Sequence, residues 1–351
     1  RAIVRNPAAG GPEGVVEDPD SNVFHKAVAF TAPDGRKGVL TAAAMKAMLK
    51  FWWFEGGEWR SETLWSTSFG GKFDRLRDLE IGDVDGDGKD EIVIATHDQG
   101  VIAVVSRSGD AWKVTEVDRA ADTFVHEIEI GDVDGDGKEE FFATPSKPNV
   151  VGKSQGGEVV MFRWDGKGWA RSTVGSWDTR HVKEILAADL DGDGKATLFA
   201  VLEAELEKVA GVSRIKQPVE IREFAFDGPG PTSRVAVTID DAQCRFLSWG
   251  DVDGDGRNEM VAAAMKTGLW LLRPSSPGAW TAENFEKDSS GFEHATIVAD
   301  VDGDGAREIW VAADDQLRLS RYVWKDGEPV REDMMPLPKG VITWNMVPAS
   351  L

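Results

Sequence analysis

Apolar residues come in short runs separated by polar, glycine-rich turns: Ile92-Val-Ile-Ala95, Phe141-Phe-Ala143, Met260-Val-Ala262 and Ile309-Trp-Val311. Runs this short, rich in β-branched and aromatic residues and bounded by Gly and Asp, predict strands. Taken through one unit, His126–Gly131 predicts a first strand and Glu140–Ala143 a second. Val159–Trp164 predicts a third, and Trp169–Val174 a fourth after the turn Asp165–Gly168. The neighbouring stretches scan the same way, so the pattern is an all-β repeat of four short strands.

One phrase punctuates the repeat. It reads Asp83-Val-Asp85-Gly-Asp87-Gly-Lys-Asp-Glu91, then Asp132-Val-Asp134-Gly-Asp136-Gly-Lys-Glu-Glu140 and Asp189-Leu-Asp191-Gly-Asp193-Gly-Lys-Ala-Thr197. It returns as Asp251-Val-Asp253-Gly-Asp255-Gly-Arg-Asn-Glu259 and Asp300-Val-Asp302-Gly-Asp304-Gly-Ala-Arg-Glu308. Successive first aspartates lie 49, 57, 62 and 49 residues apart. A decayed copy stands upstream at Pro33–Gly38. Ca²⁺ takes about 6–8 oxygens at about 2.3–2.6 Å. Carboxylates at positions 1, 3 and 5 of a tight loop can converge on one ion, the glycines allow the turn, and the acid at position 9 closes the shell. An EF-hand closes at position 12 and continues as a helix; here the closing acid comes earlier and a strand follows. Five calcium sites are expected, the one ending in Thr197 the weaker, with the decayed copy empty.

These loops, set in repeats of this length, resemble the FG-GAP/VCBS repeats of β-propellers, as in integrin α-subunits, over nearly the whole chain. The resemblance implies a single β-propeller domain of four-stranded antiparallel blades, at about 22–66, 75–118, 124–175, 181–238, 243–285 and 292–336. Seven blades are expected, the seventh a composite of residues 1–18 and 339–348, with Val341–Met346 as one of its strands. Six blades with strand-like tails are the alternative. Recurrent tryptophans at Trp59, Trp112, Trp169 and Trp280, and on third strands at Trp53, Trp164, Trp270 and Trp324, read as wedges between blades rather than sugar platforms.

The basic residues follow the repeat too. Six positions before the first Asp of each loop stand Arg77, His126, Lys183, Arg245 and His294, with His25 in the matching place before the decayed loop. In a propeller the first strands surround the central channel, so these residues are expected to ring its mouth on the face opposite the loops. His181 and His97 map to that face, as do Lys46, Lys147 and Lys266 between second and third strands. A concave ring of cations focuses its field on anions. Two connections there, Thr144–Gly157 and about Glu203–Pro218, are long enough to be functional. Below the ring the first strands carry Asp78, Glu80, Glu127, Glu129 and Glu184; pairing of the basic residues with these acids is the purely structural reading.

Composition bounds the partners. With 61 Asp+Glu against 40 Lys+Arg the net charge is −21, which argues against nucleic acid and anionic membranes. No run suits a membrane span, and the lone Cys244 excludes an internal disulfide framework. The chain begins at Arg1 without an apolar leader, as a mature or trimmed chain would. Motifs for other catalytic classes, such as Gly-x-Ser-x-Gly, His-Glu-x-x-His or a Walker loop, are absent from the sequence.

Three functions remain open. The first is an enzyme. Similarity to propeller lyases and dehydratases, including aldos-2-ulose dehydratase, implies β-elimination on an anionic or keto sugar. His126, His294 and His25 would then be bases or ligands of zinc or manganese, and Arg77, Lys183 and Arg245 would hold the anion. The second is a lectin or adhesion module binding carbohydrate or protein. The third is a scaffold domain of a larger protein. Permanent filling of modest calcium sites suits an extracellular or periplasmic setting. The oligomeric state is not legible.

Overall fold

The computed structural model describes residues 2–4, 14–71, 74–148, 154–276 and 278–349. Six four-stranded antiparallel sheets follow one another along the chain, over residues 24–67, 76–119, 124–177, 182–239, 244–286 and 296–336. These are blades one to six of a β-propeller. Their first strands are Phe24–Thr31, Leu76–Gly82, Phe124–Gly131, Val182–Ala188, Cys244–Gly250 and Thr296–Ala299. First strands of successive blades pack against one another and so lie innermost. The long connection in blade four is a hairpin of its own, Glu205–Val209 paired with Val212–Gln217.

The core lies between blades. Leu40, Leu49 and Phe51 of blade one pack on Leu76, Leu79, Ile92 and Ile94 of blade two. The tryptophans act as wedges: Trp112 sits at this first interface, Trp169 stands edge-on to Phe141 and Trp280 edge-on to Phe199 of the preceding blade. Trp270 departs from the expected register. It pairs with Asn284 near the start of its strand, whereas Trp164 pairs with Trp169 at the turn. Gly131 ends its first strand because a Cβ there would meet Ala196 at 2.9 Å, where the next blade closes in.

Among the described residues no seventh four-stranded blade is formed. Ala2–Val4 pairs only with Gly14–Val16, and Val341–Met346 makes no strand; residues 5–13 of the expected composite lie outside the described residues. The reason is local. Thr343 donates both its N–H and its hydroxyl to the Asp314 carboxylate, at 2.7 and 2.8 Å, and the next residue, Trp344, turns over the channel. Val16 instead packs with Phe24, Trp52 and Trp59 on blade one.

The acids of the first strands tie blades together. Asp78 Oδ2 accepts the Ile128 N–H at 2.6 Å, Glu184 Oε1 the Leu247 N–H at 2.8 Å and Glu129 Oε2 the Ala187 N–H at 3.3 Å. Lys26 stands among them, 2.8 Å from Asp78 and 3.5 Å from Glu127, with Glu80 as a further partner. Asp78 is 1% exposed, so its loss strands the Ile128 amide and removes one of the three carboxylates around Lys26. Asp78→Ala is expected to cost about 1–3 kcal/mol, read by denaturant unfolding; no measurable cost would contradict this role.

Candidate functional site

The head of the first strand is irregular. Pairing with the second strand slips between Phe24 and Lys26, Leu76 and Asp78, Val182 and Glu184, and Cys244 and Phe246, and between Val125 and Ile128. In four blades the residue passed over is the basic one: His25, Arg77, Lys183 or Arg245. These are β-bulges, which insert one residue and re-aim side chains. Consecutive side chains of a regular strand point to opposite faces. Here His25 and Lys26, Arg77 and Asp78, and Arg245 and Phe246 all line one axial cavity. Glu293 and the C-terminal residues Trp344 and Asn345 complete its wall.

Cations dominate the upper part. Arg245 lies 2.7 Å from Glu293 and 3.4 Å from Glu203, and Arg77 lies 3.5 Å from Glu293. Lys183 is 3% exposed and, unlike Arg77 and Arg245, is not among the residues that line the cavity. Burial pushes its pKa down to about 8, with Arg245 and Arg77 adding to the effect against the pull of Glu203. Three cations thus share two carboxylates. Sequence reasoning missed Glu203, which takes in blade four the place of His97 in blade two, and Glu293, at the place of Leu76 and Val182, because the residue type at those places varies from blade to blade.

Four histidines form an arc across blades one to four. Ring centroids are 6.4 Å apart for His25–His97, 5.6 Å for His97–His126 and 6.3 Å for His126–His181. His25 Nδ1 bonds the Leu76 carbonyl at 2.7 Å, and His97 Nδ1 lies 3.2 Å from Asp98, which Arg75 also holds. His126 Nε2 and His181 Nε2 are buried with no hydrogen-bond partner. Burial, aided by Lys183, holds His126 well below the ordinary range and His181 at about 4. Burial and then Arg77 bring His25 to about 3. All three are neutral imidazoles at neutral pH. Among the described residues, the only groups of three or more His, Cys, Asp or Glu with converging ligand atoms are in the acidic loops. The axial histidines, the expected zinc or manganese ligands, are not among these groups.

His294 is not at the mouth. It takes φ +60°, which turns its ring into the protein, where it is fully buried. Its Nδ1 meets the Ala264 carbonyl at 2.8 Å and its Nε2 the Ser289 hydroxyl at 2.7 Å. It is a clamp between blades five and six. Lys46, Lys147 and Lys266 are exposed and do not line the cavity. Cys244 is fully buried, and burial pushes its thiol up, away from nucleophilic use.

A strap closes the mouth. Trp344 stands edge-on to His25 with centroids 5.1 Å apart, and Arg77 lies 5.5 Å from the Trp344 ring centre. The cavity beneath is about 20 Å³, room for a water molecule. Asn345 Oδ1 is buried there without a partner.

At the opposite ends of the first strands the acidic loops share one conformation. Their fourth and sixth residues are glycines in the left-handed region, as Gly86 at φ +73° and Gly88 at +86°. The Gly88 N–H donates to Asp83 Oδ2 at 2.9 Å and the Asp87 N–H to Asp83 Oδ1 at 3.0 Å. Carboxylate oxygens of Asp83, Asp85 and Glu91 converge within 4.8 Å; so do those of Asp132, Asp134 and Asp136, of Asp189, Asp191 and Asp193, of Asp251, Asp253 and Asp255, and of Asp300, Asp302, Asp304 and Glu308. Glu91, 4% exposed, keeps Oε2 buried without a partner. An all-oxygen donor set with an orphaned carboxylate oxygen fits a hard cation such as calcium.

Residues 83–143 and 251–311 match the family described as FG-GAP-like repeat. A comparison with curated proteins finds no match. Among solved structures, the periplasmic gluconolactonase of Pseudomonas aeruginosa superposes with a TM-score of 0.53 at 14% identity, covering 90% of this chain and 85% of that one. The GH93 α-L-arabinofuranosidase of Fusarium graminearum gives 0.51 at 10% identity, over 94% and 95%. A protein from Lactobacillus plantarum gives 0.53 at 10%, over 90% and 86%. At such identities the likeness is one of fold.

His294 separates a structural from a catalytic role. Burial lowers its pKa from 6.5 to about 4 in the folded state. The unfolded chain then binds more protons between those values, and the wild type loses stability as pH falls through that window. His294→Gln is expected to cost about 1–3 kcal/mol at pH 7 and progressively less towards pH 4, read by denaturant unfolding. A cost that does not change with pH would contradict the buried neutral imidazole.

Proposed function

We propose that this propeller, built from FG-GAP-like repeats, is braced by calcium in its acidic loops and binds a small anionic sugar at the axial mouth. The proposed ligand class is a carboxylate-bearing sugar such as a hexuronate, and the proposed reaction is β-elimination. The observation that carries the reading is the bulged ring. Arg77, Lys183 and Arg245, from three different blades, crowd beside imidazoles with unpartnered Nε2 atoms, in a protein of net charge −21. Guanidinium groups are suited to hold a carboxylate by paired hydrogen bonds. That two proteins of the same fold are named for sugar chemistry agrees with this.

In the proposed reaction Arg77 and Arg245 hold the carboxylate. Neutral Lys183 is the better base, because its pKa of about 8 lies near working pH while those of the histidines lie far below it. Lys183 Nζ takes the proton from the carbon next to the carboxylate. The electron pair left behind moves onto the carboxylate as an enolate, stabilised by the two guanidinium groups. It returns to form the carbon–carbon double bond as the β carbon–oxygen bond breaks, and the Lys183 ammonium returns the proton to the leaving oxygen. His126 and His181 would bond sugar hydroxyls through Nε2. His294 has no part in this scheme. The ligand enters by displacing Trp344 and Asn345, which also frees the buried Asn345 oxygen to find a partner.

Elimination from a uronate gives a conjugated carboxylate, so ultraviolet absorbance follows it directly. Purified protein is expected to raise that absorbance with a uronate carrying a β leaving group, with kcat rising through about pH 8. Lys183→Met should lower kcat by about 10²–10⁴-fold with little change in KM. Binding without turnover in both proteins would favour the lectin reading and exclude the reaction. For the brace, a chelator should lower the melting temperature, since a ligand held only by the folded state stabilises it; an unchanged melting temperature would remove calcium from the account. A calcium-rich extracellular or periplasmic setting is proposed on the same basis.

A further inference from the structure

The six loop positions share a sequence ancestry but not their surroundings. In blade one the decayed loop has its own cation. Arg36 bonds Asp34 at 2.7 Å and Glu62 at 3.0 Å, and its guanidinium lies 4.1 Å from the Trp53 ring centre. In blade three Arg163, on the third strand, lies 2.5 Å from Asp134 Oδ2 and 2.8 Å from Glu140 Oε1. In blade five Arg273 lies 3.0 Å from Asp253 Oδ2. In blade six Arg321, two residues earlier on its strand than the place matching Arg163, lies 2.8 Å from Asp302 Oδ2. Each of these three arginines reaches the third-position aspartate of its own loop.

Blades two and four differ. Val105 pairs with Ile92 and Phe224 with Leu198, so the places matching Arg163 hold Ser106 and Ala225. The places matching Arg321 hold Val104 and Glu223. The nearby Lys89–Asp87 pair of blade two is largely solvent-exposed and weak for that reason. The loop of blade two therefore has the closing Glu91, the orphaned Oε2 and no arginine on its third-position acid. That of blade four also lacks the arginine, but it ends in Thr197 and offers one carboxylate fewer.

Resting on the calcium reading above, we infer that the five loops form two classes of site. Blade two carries the tight site. The loops of blades three, five and six are held in shape by an internal guanidinium and bind calcium weakly, and blade four is weak for want of its closing acid. The reason is electrostatic. Crowded carboxylates repel one another, and a cation must offset this for the loop to close. Where an arginine already does so, arriving Ca²⁺ gains less and faces a positive neighbour. Blade one is the end of the series, where the guanidinium replaces the metal.

Calcium titration of the chelator-stripped full chain by calorimetry tests this. The expected isotherm has one site at least about tenfold tighter than the others. Asp85→Asn should abolish the tight phase alone. Arg163→Gln should add a second tight site and lower the melting temperature in chelator; Arg273→Gln and Arg321→Gln provide the same reading if that variant fails to fold without metal. Equivalent sites, a tight phase that survives Asp85→Asn, or arginine variants with wild-type isotherms would overturn the two-class inference while leaving calcium binding intact. No calcium uptake at all would overturn the calcium reading, and the inference with it.

Discussion

The arrangement depends on one extra residue at the head of the first strands. A regular strand would send a basic residue to one face and the acid after it to the other. The bulge keeps both on the channel side, one above the other. The acids then serve as mortar: Asp78 and Glu184 accept amide protons from the next blade's first strand. The residues above them are left to face the mouth. Cations accumulate there although acids outnumber bases across the chain. The same slip that re-aims Arg77 and Arg245 thus sets the sign of the opening they line.

Charge is layered along the propeller axis. Carboxylates of the loops stand at one end, the hydrogen-bonded acids around Lys26 lie in the middle, and guanidinium groups with neutral imidazoles stand at the other end. Burial pushes Glu127, Glu129 and Glu184 well above the carboxylate range, so the middle layer is far less negative than its composition. Lys183 is shifted the opposite way by burial and by Arg245 and Arg77. An anion brought to the mouth would relieve that repulsion, and the strap that now covers it contributes an unsatisfied amide oxygen. Both features favour exchange of the strap for a ligand.

Much of this was legible in the sequence, for identifiable reasons. The loops are contiguous phrases, and their glycines and aspartates state their geometry locally. Alternating short strands gave the blades, and counting back from each loop found Arg77, Lys183 and Arg245. Pairing register was not legible, since a bulge is a property of two strands. Nor was the positive φ that takes His294 out of the ring, because every neighbouring residue fits the repeat. Val341–Met346 has strand composition, but the Asp314 carboxylate of blade six, which the tail follows directly, captures Thr343. The arginines on the loop acids left a weak trace, obscured by the unequal connections between second and third strands. Trp344 stands outside the repeat, and Glu203 and Glu293 occupy repeat positions whose residue type varies from blade to blade, so none leaves a recurrent signal.

The central claim is that the bulged ring is an anion site specific for a carboxylated sugar. Calorimetric titration of the calcium-loaded protein with glucuronate and, separately, with glucose tests it most directly. The account predicts saturable binding of glucuronate that weakens with salt, none of glucose, and loss of glucuronate binding in the Arg77→Ala, Arg245→Ala double variant. Equal binding of the two sugars, or glucuronate binding that survives the double substitution, would contradict it.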